Sequence, residues 1–304
     1  MSFSVDQIRH LYDFQSHYLD RNGHKYHYLD EGRGEPVVMI HGNPSWSFMY
    51  RELVVSLRGS YRVIVPDHVG CGLSDKPRSA DYEYRLAQRV SDFESLLAQL
   101  GVTRHITLIM HDWGGPIGMT YATHHPSSIG RLIILNTAAF LLPPGKTLPW
   151  SLRFCRDSRV AAFLIRRFNA FSVAATYVGC RLRPMSAEVR RAYTGPYDSW
   201  KNRIATLRFV QDIPLTPGDP SYALLRKTQE GLYQFQKTPM LICWGEQDFV
   251  FDHDFLEEWV RRFPKAEIHR FSQAGHYVLE EVPAAIVSLV GEFLANHPLK
   301  QGAQ

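Results

Sequence analysis

Short apolar runs, each closing on a turn-forming or polar residue, recur along the chain. His24 to Asp30, Pro36 to His41, Tyr61 to Asp67, Ile106 to Asp112 and Arg131 to Asn136 fall in the first half, and Met240 to Trp244 and Ala266 to Phe271 near the end. Runs of this length between turn signals predict strands. The gaps carry helical spacing instead: from Arg85 to Leu100 the apolar residues Val90, Phe93, Leu96, Leu97 and Leu100 fall on one face. Alternating strand and helix predicts an α/β chain with a mostly parallel sheet and helices on both faces.

That alternation stops in the middle. From Ala138 to Gln236 no strand pattern is evident, and Pro143-Pro144-Gly145, Arg183-Pro184, Gly195-Pro196 and Pro217-Gly218 break the segment into short helical pieces. The expected organisation is a core of residues 1–137 and 237–304 with residues 138–236 inserted as a helical cap. A segment leaving the sheet after Asn136 lies over the carboxyl ends of the strands, where open sheets bind ligands.

Composition changes this picture little. The 304 residues are 45% hydrophobic and 21% charged, ordinary for a globular enzyme. The longest nearly apolar stretch, Leu132 to Leu142, is interrupted by Asn136 and Thr137 and is too short to span a bilayer. The start, Met1-Ser2-Phe3-Ser4-Val5-Asp6, lacks the pattern of a secretory signal, and Cys71, Cys155, Cys180 and Cys243 are scattered, so reduced thiols in the cytoplasm are expected. Gln301 to Gln304 read as a disordered tail.

Charge is more telling. Residues 138–236 hold 15 Lys and Arg against 6 Asp and Glu, a surplus of +9 on a chain of net charge +4, which leaves −5 on the remainder. A basic cap on an acidic body is first a solvated helical surface, and beyond that a docking face for an acidic partner or an anionic membrane. Nucleic-acid motifs, histidine-carboxylate clusters with metal spacing and glycine-rich phosphate loops are all missing from the sequence, so no metal, nucleotide cofactor or nucleic-acid partner is expected.

The chemistry concentrates at His111-Asp112-Trp113-Gly114-Gly115, directly after the run ending at Met110. A nucleophile on a tight strand-to-helix turn, flanked by small residues, is the elbow of the α/β-hydrolase fold. Met110 stands where the elbow pattern has its first glycine. The residue at the nucleophile position is a carboxylate, which suits displacement at sp3 carbon to give an alkyl ester of the enzyme. As an ordinary alternative, Asp112 would cap the helix that starts near Gly114.

In this fold the nucleophile is followed along the chain by an acid and then a histidine. Asp248, just beyond Met240 to Trp244, and His276, in Ala274-Gly275-His276-Tyr277, fill those places; Asp252 and Asp254 compete with Asp248. Asn136, at the other position where related enzymes place the acid, is not a carboxylate. His41-Gly42-Asn43-Pro44 follows the strand that begins at Pro36. Asn43 and Trp113 occupy the two oxyanion positions of the fold, and their amide and indole side chains are N–H donors for a departing anion.

Taken together, the HGNPSWSF loop, the PDHVGCGLSDKP segment, the HDWGG elbow, WGEQDFVFD and AGHYVLE resemble the haloalkane dehalogenase branch of the α/β-hydrolases over nearly the whole chain. The Asn43 and Trp113 pair, with the acid after the later strand, is similar to its third subfamily. Within the cap, LNTAAF, FNAF, RRAY and RFVQDIPL resemble the β-lactone decarboxylases of bacterial long-chain olefin biosynthesis. That resemblance implies a cis-3,4-dialkyl β-lactone substrate with long alkyl chains, a cis-alkene and carbon dioxide as products, no cofactor, and assembly with the β-lactone-forming enzyme.

Three other readings stay beside it. A haloalkane dehalogenase uses the same donors for a halide and needs His276 to hydrolyse the ester. An epoxide hydrolase needs acidic donors, usually two cap tyrosines, for which Tyr177, Tyr193, Tyr197, Tyr222 and Tyr233 are available. A non-catalytic receptor on a hydrolase fold often lacks a catalytic residue, and here all are present.

Overall fold

The computed structural model describes residues 3–299, so the tail from Gln301 to Gln304 lies outside the described residues. Eight strands form one sheet: β1 (His17–Arg21), β2 (His24–Glu31), β3 (Pro36–Ile40), β4 (Arg62–Pro66), β5 (Ile106–Asp112), β6 (Ile129–Thr137), β7 (Met240–Gly245) and β8 (Glu267–Phe271). Their spatial order is β1-β2-β4-β3-β5-β6-β7-β8. β1 and β2 run antiparallel at one edge and the others are mutually parallel. Every predicted strand is present, within two residues of its expected ends. β1 was not expected: His17-Tyr18-Leu19-Asp20-Arg21 is mostly polar and half-exposed, because an edge strand buries little.

The central strands show why the sheet forms. All seven residues of β5 are buried, as are four of five in β3 and in β4, the near-continuous burial of a parallel sheet covered on both sides. In the core, α1 (Arg51–Leu57), α2 (Leu86–Gln99) and α3 (Gly114–His124) precede β6, and α10 (His253–Arg262), α11 (Val278–Glu281) and α12 (Pro283–Asn296) follow β7. α2 buries Val90, Phe93, Leu96 and Leu97, the stripe its spacing predicts.

Between β6 and β7 the regular elements are helices: α4 (Trp150–Asp157), α5 (Arg159–Phe168), α6 (Ala170–Val178), α7 (Ala187–Thr194), α8 (Ile204–Gln211), α9 (Tyr222–Gly231) and short 3-10 turns. Arg89 donates to Asp212 at 3.0 Å, Trp46 donates its indole N–H to Ala192 O at 3.1 Å and Tyr197 donates to Ser45 O at 3.0 Å, so these helices are tied to the core on several sides. No helix of the described residues is long and apolar enough to cross a membrane.

Candidate active site

Asp112 is the last residue of β5, and its φ of +51° places it in the left-handed region that β-carbon-bearing residues seldom occupy. The turn is that tight because α3 begins two residues later at Gly114, whose missing side chain lets the chain pass against the Ile40 carbonyl of β3. Gly42 is small for a matching reason, since a β-carbon there would overlap the Asp112 carboxylate. The capping alternative is not what forms: Trp113 is the N-cap of α3 and no side chain caps it.

The two oxygens of Asp112 have different surroundings. Oδ1 accepts the backbone N–H of Asn43 at 2.6 Å. Oδ2 has no hydrogen bond of ordinary geometry among the described residues and lies 3.9 Å from His276 Nε2. Burial raises the Asp112 pKa, against the pull of His276 and of the Asn43 and Trp113 amides.

His276 Nδ1 lies 2.8 Å from Asp248 Oδ2, which fixes the ring with Nδ1 as donor and Nε2 toward the nucleophile. Burial alone would lower the His276 pKa, but Asp248 and Asp112 outweigh it and the net direction is up. Asp248 follows β7 and also accepts the Val250 amide at 2.8 Å. Asp252 caps α10, and both it and Asp254 pair with Lys146.

Asn43 and Trp113 both line the cavity beside Asp112, with one change from the expected pairing. The Asn43 side chain donates one N–H to Thr206 O of α8 at 3.1 Å, which leaves its second N–H for a ligand. The indole N–H of Trp113 has no protein acceptor among the described residues. Of the five cap tyrosines, none lines the cavity: Tyr193 donates to Glu280 at 2.7 Å, Tyr197 is committed to Ser45 and Tyr177 and Tyr233 are exposed.

Above Asp112 the cavity has a volume of about 620 Å³. Its walls are overwhelmingly apolar, including Phe140, Leu148, Leu152, Ile165, Phe171 and Phe251. Asn43, Asp112, Trp113 and His276 line its floor, and Thr147, Ser151, Arg181 and Tyr277 are the other polar residues of its lining. Among the described residues no cluster of His, Cys, Asp or Glu has the arrangement of a metal site.

Several positioning residues escape a reading of the sequence. Asn136 donates to Asp248, and His111 donates from Nε2 to the His276 carbonyl at 2.8 Å, held neutral by burial, which lowers its pKa. Asp67, buried beside β4, accepts the Ser47 amide at 2.7 Å and the Leu73 amide at 2.8 Å, with His27 Nδ1 at 2.8 Å. Burial opposes its ionisation, yet His27, His41 and the Leu73 amide bring its pKa down to about 2. It thereby steadies the 41–47 loop that carries Asn43.

The alpha/beta hydrolase fold model matches residues 35–283. The chain is 53% identical over 286 residues to the cis-3-alkyl-4-alkyloxetan-2-one decarboxylase of Shewanella oneidensis, covering 94% of this chain and 90% of that protein. It is 49% identical to the protein of the same name from Xanthomonas campestris pv. campestris, covering 95% and 98%. Haloalkane dehalogenase 2 of Mycobacterium tuberculosis is 29% identical over 96% of this chain and 99% of its own length. Among solved structures, the haloalkane dehalogenase DatA from Agrobacterium tumefaciens C58 superposes with a TM-score of 0.83 at 23% identity, covering 93% of this chain and 97% of that one.

Proposed function

The chain belongs to the α/β-hydrolase family, and we propose that within it the protein is a decarboxylase of cis-3,4-dialkyl β-lactones, splitting each into a cis-alkene and carbon dioxide. The two decarboxylases at 53% and 49% identity support the substrate class. The observation that carries the reaction is the asymmetry of Asp112: Oδ1 is held by the Asn43 amide while Oδ2 is open at the foot of an apolar cavity.

In the proposed course, Asp112 Oδ2 attacks the alkyl-bearing ring carbon bonded to the ring oxygen. That carbon–oxygen bond breaks with inversion, and the ring opens to a carboxylate held by the free N–H of Asn43 and the indole N–H of Trp113. The bond to the carboxylate carbon then breaks anti to the enzyme ester. Its electron pair becomes the alkene, the ester oxygen leaves as the Asp112 carboxylate and carbon dioxide departs. Inversion followed by anti elimination equals a net syn loss, so a cis ring gives a cis-alkene. Atoms and charge balance without water or an external proton.

Attack at the lactone carbonyl, giving a mixed anhydride, is the rival course, because the same side-chain N–H groups of Asn43 and Trp113 suit a tetrahedral oxyanion as well as a departing carboxylate. In the proposed course His276 and Asp248 tune the charge on Asp112 and are not an obligatory hydrolytic base. Haloalkane hydrolysis is the second reading, favoured by the same two anion donors over the same open oxygen. An epoxide hydrolase loses ground, since no cap tyrosine reaches the cavity.

On this reading the protein performs an alkene-releasing step of olefin biosynthesis in the cytoplasm, in keeping with its four free cysteines. The test is to incubate purified protein in parallel with a synthetic cis-3,4-dialkyl β-lactone and with 1-bromobutane, following alkene by gas chromatography and bromide release, with Asp112→Ala as control. Cis-alkene that vanishes in the variant supports the proposal. Bromide without alkene moves the protein to the second reading.

A further inference from the structure

The outside of the cap is apolar where a solvated helix should be polar. On α5 the inward stripe, Ala161 and Ile165, is buried and lines the cavity, while Val160, Phe163, Leu164 and Phe168 form a second apolar stripe that faces out. Flanking α5, Trp150 and Phe154 of α4 and Val173, Tyr177 and Val178 of α6 are exposed too, Trp150 at 82%. Of the fourteen large hydrophobic residues exposed among the described residues, ten fall between Trp150 and Leu182. Such clustering marks an interaction surface.

Three of those residues also have a second role. Phe154, Leu164 and Val178, one from each helix, are both exposed and part of the cavity wall. The cavity above Asp112 therefore reaches the outside through this apolar face.

Cations are interleaved with it. Residues 150–183 contain seven arginines and one acid, Asp157, which Arg153 and Arg156 already hold. Arg166 stacks on Trp200 at 4.6 Å and Arg167 on Phe168 at 5.2 Å, so apolar rings and positive charge share one surface.

We propose that α4, α5 and α6 dock the protein reversibly on an anionic lipid bilayer, with the mouth of the cavity facing the membrane. Apolar rings at the headgroup boundary and arginines toward anionic lipid are the pattern of an interfacial helix. A second copy of the chain fits this face poorly, because it would oppose two surfaces of the same positive sign. An acidic protein would match the charge but would seal the cavity mouth, whereas a bilayer dissolves a dialkyl ligand and lets it pass. The choice of a bilayer over a protein rests on the proposed dialkyl substrate, whereas vesicle binding is read without turnover.

The test is flotation of the purified full chain with vesicles of phosphatidylethanolamine and phosphatidylglycerol, against vesicles of phosphatidylcholine alone. Binding to the anionic vesicles is expected, falling with salt, and the fluorescence of Trp150 should be quenched by brominated lipid. Phe163→Asp/Phe168→Asp should cut binding at least tenfold, and Arg159→Gln/Arg167→Gln about fivefold for each arginine neutralised. Because none of these four side chains lines the cavity, turnover of a short, water-soluble lactone should be unchanged and reports intact folding. No flotation at any anionic content overturns the proposal, as does binding that the variants leave untouched. A concentration-dependent dimer abolished by Phe163→Asp/Phe168→Asp, without vesicle binding, also overturns it and assigns the face to self-association.

Discussion

Asn136 donates its side-chain N–H to Asp248 Oδ2 at 3.0 Å, the same oxygen that faces His276 Nδ1 at 2.8 Å. Asn136 is itself held, with its Nδ2 reaching the Gly245 carbonyl at 3.0 Å and its Oδ1 taking the Gly245 amide at 2.8 Å. The end of β6 is thereby locked to the end of β7, and the position where an acid would stand in relatives holds the group that orients the acid. At φ +36° Asn136 also sits in a backbone region that asparagine tolerates better than most residues.

Replacing Asn136 by Asp should set two carboxylates against each other in a buried site. The like charge raises the pKa of the pair in the folded state, so the lost stability is greatest at neutral pH and recovers as pH falls into the carboxylate range. A deficit of roughly 1–3 kcal/mol at pH 7 is expected. Thermal melts of the variant and parent at pH 7 and pH 5 check it: a difference that does not narrow at pH 5 would remove the electrostatic account.

The contrast between Asp112 and Asn136 shows what a sequence conveys. The elbow is legible because its parts are adjacent: an apolar run, a nucleophile and two glycines state a strand, a turn and a helix in ten residues. β5 accordingly has the ends its pattern predicts, Ile106 and Asp112. The grip of Asn136 on Asp248, of His111 on the His276 carbonyl and of Asn43 on Thr206 O joins residues more than a hundred positions apart, and hydrophobic periodicity carries no signal for such pairs. β1 was missed for a third reason, since an edge strand need not be apolar.

His276 separates the two chemistries that share this site. In the lactone course the ester is cleared by loss of carbon dioxide, so His276→Gln should keep alkene formation within roughly tenfold of the parent. With 1-bromobutane the ester ends only by hydrolysis, and the same variant should stop after one turnover with a butyl group on Asp112. Intact-protein mass spectrometry after each substrate reads both outcomes, and loss of alkene formation by orders of magnitude would make the histidine obligatory and the waterless course untenable.

Asp112→Asn should abolish alkene formation while making the fold more stable. Burial raises the Asp112 pKa, the reverse of the usual carboxylate case. Its folded-state preference is for the protonated form, so the ionised group costs stability as pH rises through the folded value and beyond. Asparagine removes that charge and suits φ +51° better. A gain on the order of 1 kcal/mol, a few degrees in Tm, is expected at pH 7 and should shrink toward acid pH. Melting curves across that range decide it; a less stable variant at neutral pH would mean that the pairing of Asp112 with His276 outweighs its burial.

Ala161→Leu should shorten the alkyl chain that the cavity accepts. Ala161 is buried on α5 and lines the wall, with Ile165 one helical turn further along. Ala161→Leu fills space that an alkyl chain would otherwise occupy, and each methylene kept out of an apolar wall forfeits about 0.8 kcal/mol, near fourfold in kcat/KM. Lactones with short chains should be processed as by the parent, since Asp112, Asn43, Trp113 and His276 lie at the floor. Those with long chains should lose about fourfold for every excluded methylene, through KM more than kcat, because burial of a remote chain is felt alike in ground and transition state. A homologous series of dialkyl lactones measured on both proteins gives the answer. Parallel curves for the two would place the chains elsewhere in the cavity, whereas curves that diverge beyond one length would mark where α5 bounds it.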